Sequence, residues 1–98
     1  MREHLYEVEI KSMAILREGH QSLITYAKAT RKKLIPEQMK VLYPQYTKDE
    51  DKPKVLVTPI TFREYEKRVN GGMITQKQHL INGKGNIFKV EDYETLGN

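Results

Sequence analysis

Ten glycines and prolines punctuate the chain, and they limit what it can build. Leu5, Val8, Ile15, Leu16, Leu23, Ile24, Ala27 and Leu34 fall near one helical stripe. A helix through all of them would exceed about 25 residues and run straight through Gly19, a residue that weakens helices. Short elements between breakers are the better reading. The alternation Tyr6-Glu7-Val8-Glu9-Ile10-Lys11 has the period of a half-buried strand, which predicts a strand over 5–16. A turn is expected at Glu18-Gly19-His20-Gln21. A second segment follows at 22–30, strand-like through Ser22–Tyr26 and more helical at Ala27-Lys28-Ala29.

Further along, Pro36 suits a first helical turn, where its missing N–H costs nothing. Glu37 sits where the helix dipole favours an anion. Ile35, Met39 and Leu42 share a face, and Pro44 stops the pattern, so a helix is predicted over 34–43. Residues 47–53 are polar and acidic and read as a linker. A strand at 54–58 lies between Pro53 and Pro59. Thr61-Phe62-Arg63-Glu64 then matches a capping box, in which the Thr hydroxyl accepts a backbone N–H and the Glu reaches back. Phe62, Tyr65 and Val69 follow at helical spacing, with Asn70-Gly71-Gly72 as the stop, giving a helix over 61–69. Residues 75–81 read better as helix than as strand, because Gln and Lys are good helix formers and Ile74 and Ile81 share a face. Asn82–Gly85 forms a glycine turn, 86–90 a strand, and Glu91–Glu94 a closing turn or short helix.

These pieces predict an α+β fold: a small antiparallel sheet with two or three short helices packed on it. At 98 residues one small domain, 1–98, is expected; 47–53 is where it would divide into 1–46 and 54–98. The expected core is Val8, Ile10, Ile15, Leu16, Leu23, Ile24, Met39, Leu42, Val55, Val57, Phe62, Tyr65, Val69, Ile81, Phe88 and Val90. An exposed strand at 5–11 would let the chain pair with its copy as a homodimer.

Composition narrows the function. The chain has no Cys, which excludes disulfides, thiolate metal sites and a Cys nucleophile and fits a reducing cytoplasm. No apolar run approaches a membrane span, and the N-terminus lacks the apolar core of a signal peptide, so a cytoplasmic protein away from membranes is expected. His4, His20 and His79 have no partner at helical zinc spacing, and no metal or other cofactor is expected. Gly-x-Ser-x-Gly is absent, Ser12 and Ser22 lack a recognisable base, and the carboxylates mostly pair with neighbouring basic residues or sit in the linker and tail, so no enzyme activity is expected. Asn82-Gly83-Lys84-Gly85 shares Gly and Lys with phosphate loops but not their spacing.

Charge is more informative. The net charge of +4 is uneven: residues 20–48 carry six basic groups and one acidic, and 54–89 carry seven and two. Basic blocks attract polyanions. Arg31, Lys32 and Lys33 form a cluster just before a predicted helix. The order strand 54–58, helix 61–69, turn, helix 75–81, glycine hairpin and strand 86–90 is that of a small winged helix-turn-helix, whose second helix enters the major groove. Its exposed side chains would include Gln76, Lys77, Gln78 and His79, with Gln suited to adenine and Lys to guanine or phosphate. Lys84 in the wing, with Arg63, Lys67 and Arg68, would flank the backbone. A contiguous basic face from the 28–33 cluster and helix 61–69 is the resulting expectation.

The stretches 60–69 (ITFREYEKRV) and 83–96 (GKGNIFKVEDYETL) resemble the first helix, and the wing, strand and closing helix, of excisionase-like members of the MerR-type winged helix family. That family's recognition helix usually carries an aromatic, most often Trp, and this chain has no Trp. The resemblance implies DNA binding. Together these features point to a small regulatory or accessory nucleic-acid-binding protein, of the kind phages and mobile elements encode. The alternative is a protein-binding module, such as an inhibitor, adaptor or virion component, with Tyr26, Tyr43, Tyr46 and Tyr93 as anchors.

Overall fold

The computed structural model describes residues 2–70. Strand β1 (His4–Lys11) is followed by helix α1 (Met13–Arg17), strand β2 (Leu23–Ala29), helix α2 (Leu34–Leu42), one 3-10 turn (Asp49–Asp51), strand β3 (Lys54–Ile60) and helix α3 (Phe62–Asn70). The three strands form one antiparallel sheet in the order β2-β1-β3, so the α+β class with a small antiparallel sheet is correct. Both outer strands are antiparallel to β1, so they run parallel to each other. Parallel strands need a long crossover, and the α2 segment supplies it, passing across β1.

The alternation along β1 sorts side chains between the two faces. Tyr6, Val8 and Ile10 point to one face, where they meet Ala27, Ala29, Ile15 of α1, and Ile35 and Met39 of α2. Val8 sits opposite Thr25 on one side and Val57 on the other. Val8, Ile10, Ile35 and Met39 are fully buried. Each such side chain contributes about 1.5–3 kcal/mol of apolar transfer energy. The second face carries Glu7 and Glu9, and α3 lies over part of it.

Several expectations change. The predicted strand over 5–16 stops at Lys11, because Ser12 caps a helix: its hydroxyl accepts the Ile15 N–H at 3.4 Å. Helix α1 ends on Gly19, whose φ of +86° allows a left-handed stop. The Gly19 N–H donates to Leu16 O and the His20 N–H to Ile15 O, a Schellman pair. In that helix Ile15 faces inward and Leu16 stays 52% exposed, so Leu16 leaves the expected core. Phe62 leaves it too, at 49% exposed. Ala27-Lys28-Ala29, expected to lean towards helix, completes β2: Ala27 pairs with Tyr6 and Ala29 with His4. Both alanines are fully buried, so tertiary packing overrides their helix preference. Leu5, Tyr6, Tyr26 and Ile35 join the core unannounced. Val69, Ile81, Phe88 and Val90 lie outside the described side chains.

Strand 5–11 has no free edge, since β1 is hydrogen-bonded on both sides. A homodimer through that strand is therefore closed off. The stretch 47–53, read as a linker, holds buried Thr47 and Asp51, and Asp51 accepts a hydrogen bond from Arg17 at 2.7 Å. Strand β3, on its far side, pairs with β1 from Leu5↔Ile60 to Lys11↔Lys54. Of the winged helix-turn-helix elements, strand 54–58 and helix 61–69 are present as β3 and α3. The helix at 75–81, the glycine hairpin and the strand at 86–90 lie outside the described residues. Among the described residues no helix is long and apolar enough to cross a membrane.

Candidate nucleic-acid interface

The sheet register brings three chain segments to one end. His4 pairs with Ala29 and Leu5 with Ile60, so β1 begins where β2 and β3 finish. The segments just beyond carry the cations: Arg2 before β1, Arg31-Lys32-Lys33 after β2, and Arg63 after β3. All five are exposed. The 31–33 turn is tied by its backbone, with Leu34 N–H donating to Arg31 O and Ile35 N–H to Lys32 O, both at 3.2 Å. Those bonds hold the turn against α2 and leave the three side chains in solvent.

Helix α3 begins at the same end. Thr61 caps it, its hydroxyl accepting the Glu64 N–H at 3.1 Å. The reciprocal half of the expected capping box is replaced: the Glu64 carboxylate accepts from Arg68 Nε at 3.2 Å. Lys28 Nζ lies 5.2 Å from the Phe62 ring centroid, a cation–π contact between β2 and the start of α3. Further along, Tyr65 stacks edge-on against Tyr26, with ring centroids 5.3 Å apart. Arg68 pairs with the Glu7 carboxylate and donates to the Tyr26 hydroxyl at 2.9 Å. The hydrogen bonds to Tyr26 and Glu7 push the Arg68 pKa upward, and the guanidinium is permanently charged.

Helix α3 therefore presents two sets of cations. Arg63 and Lys67 are exposed. Arg68 faces the sheet and anchors the helix. Among the described residues, the ion pairs include Lys11–Glu9, Arg17–Asp51 and Arg68 with Glu7 and Glu64. Arg31, Lys32, Lys33, Arg63 and Lys67 have no acidic partner among the described residues. The sequence identified these five, but not that Arg2 joins them or that Arg68 is already engaged. Residue Arg68 carries no sequence mark that separates it from Lys67; its partner Glu7 lies 61 positions away. Gln76, Lys77, Gln78, His79 and Lys84 lie outside the described residues.

The tyrosines proposed as protein anchors separate as well. Tyr26 is buried beneath α3. Tyr43 and Tyr46 stack on each other with centroids 6.4 Å apart, at the opposite end of the sheet. They border an open groove of about 920 Å3 that Ile15, Leu23 and Ile24 also line. Tyr93 lies outside the described residues. No family model, no curated protein and no solved structure matches this chain.

Proposed function

We propose that the protein is a small non-enzymatic nucleic-acid-binding protein, regulatory or accessory in role, that grips the phosphate backbone with the basic end of its sheet. The observation that supports this reading is the set Arg31, Lys32, Lys33 and Arg63: four exposed cations on two chain segments, at one end, with no acidic partner among the described residues. Arg2 and Lys67 extend it. Cations without an internal partner are free to displace counterions from phosphates, which makes binding strongly salt-dependent. Five phosphate contacts would lower affinity roughly several hundred-fold between about 50 and 200 mM salt.

Fluorescence anisotropy of a labelled duplex against the purified protein, at both salt concentrations, tests this. A steep, salt-sensitive rise is expected. Flat anisotropy at the lower salt would overturn the proposal. A second reading, a protein-binding module, is favoured by one feature, the Tyr43–Tyr46 pair bordering an open groove away from the basic end.

A further inference from the structure

The groove at the far end of the sheet differs in chemistry from the rest of the surface. It is lined by the Glu18–Ile24 turn together with Ile15, Tyr43, Gln45 and Tyr46. Among the described residues no Lys or Arg lines this groove. Its one carboxylate among the described residues is Glu18, which lines the groove beside Tyr46 and raises the pKa of that phenol. The nearest cation in sequence, Arg17, is turned away and held on Asp51 at 2.7 Å, so it does not neutralise Glu18. Gly19 adds room: a Cβ built there would meet nothing within 4 Å. Aromatic faces beside an unneutralised carboxylate attract organic cations.

We propose that this groove takes an arginine side chain of a partner peptide, with the guanidinium stacked on the Tyr46 ring and hydrogen-bonded to the Glu18 carboxylate. This rests on the protein-binding reading and is independent of the basic end. Guanidinium is favoured over ammonium for two reasons. It is planar, so it stacks on a ring face, and its fork of donors matches a carboxylate. The two Glu18 oxygens offer about four acceptor sites, more than a neighbouring phenol can use. The apolar floor of Ile15, Leu23 and Ile24 suits the aliphatic stem that carries the head group.

The test uses the full chain and three small probes: N-acetyl-arginine amide, its lysine counterpart, and N-acetyl-citrulline amide, the neutral analogue. Chemical shifts of Glu18, His20 and Tyr46 are followed by NMR in each titration. Saturable shifts with the arginine probe are expected, with Kd in the range of about 1–10 mM for one side chain. The lysine probe should bind more weakly and the citrulline probe weaker still. Glu18→Gln, an isosteric change at an exposed position, should weaken arginine binding at least about fivefold without changing duplex binding. Tyr46→Phe keeps the ring and should retain binding, whereas Tyr46→Ala should lose it. Equal shifts with arginine and citrulline would overturn the guanidinium proposal while leaving the groove a peptide site. No saturable shift with any probe would overturn both for this groove.

Discussion

Arg68 is the side chain on which the position of α3 turns. It is the only residue of that helix whose charge reaches Glu7 on the central strand, and it also bonds Tyr26 and Glu64. The pair is largely shielded, with 23% and 26% of the Arg68 and Glu7 side chains exposed. Arg68→Ala leaves the half-buried Glu7 carboxylate without a cation and with only the 3.4 Å bond from the Tyr26 hydroxyl, so a loss of about 1–2 kcal/mol in urea unfolding is expected. Glu7→Gln should cost a similar amount, and the double variant less than the sum. The Arg68 pKa is raised on folding, so its stabilisation is fully present at every pH where an unfolded arginine is still protonated. The Arg68 contribution should thus stay flat through neutral and mildly alkaline pH. Tyrosines set the alkaline limit instead. Burial raises the pKa of Tyr26, Tyr43 and Tyr65, and the neighbouring Glu18 carboxylate raises that of Tyr46. A raised pKa favours the neutral phenol in the folded state. That stabilisation is complete below about pH 10 and is lost as pH climbs through the folded values. Urea midpoints should fall above pH 10, with the phenolate absorbance of these tyrosines appearing late; a midpoint unchanged to pH 11 would contradict the burial of Tyr43.

The elements owe their ends to a few backbone positions, and these respond to substitution. Gly19 stands at φ +86° with nothing near its Cβ position, so Gly19→Ala should cost about 1 kcal/mol through backbone strain alone. Lys52 is the converse case. It holds φ 53° after the 3-10 turn, a left-handed conformation that a lysine adopts at a cost. Lys52→Gly should raise the thermal midpoint, with a gain of about 0.5–1 kcal/mol, and a lower midpoint would show that the lysine side chain contributes there. Local signals of this kind explain which elements were legible. Helix α3 could be read because Thr61 and Glu64 sit at cap spacing, and α2 because Pro36 and Pro44 bracket it. Helix α1 could not, since Ser12 and Gly19 frame only five helical residues and the alternation of β1 runs directly into them. The second half of the α3 box was misread because Arg68, one turn on, competes for the Glu64 carboxylate. Tyr26 looked like a surface anchor because nothing in its neighbourhood announces that Tyr65 and Arg68 will cover it.

At the scale of the whole molecule, chain order hides what the sheet assembles. The pairing of β3 with β1 spans about fifty residues, and no local pattern reports it. The run 31–33 was legible as a basic cluster. That this cluster would share a face with helix 61–69 was an expectation; the register, in which His4 meets Ala29 and Leu5 meets Ile60, is what puts Arg63 at the same end. The consequence is a charge distribution with a direction, and location can be separated from total charge. Replacing Arg31, Lys32 and Lys33 with Gln lowers the net charge from +4 to +1. Replacing Lys11, Lys40 and Lys48 with Gln makes the same change away from the basic end, and all six positions are exposed. If the basic end holds phosphates, the first triple variant loses up to three contacts and its salt slope falls by about 2.7. The second keeps its slope and most of its affinity. Duplex anisotropy across a salt series decides between them. Equal losses in both variants would mean that binding follows net charge alone, and the basic end would then have no role beyond its contribution to the sum.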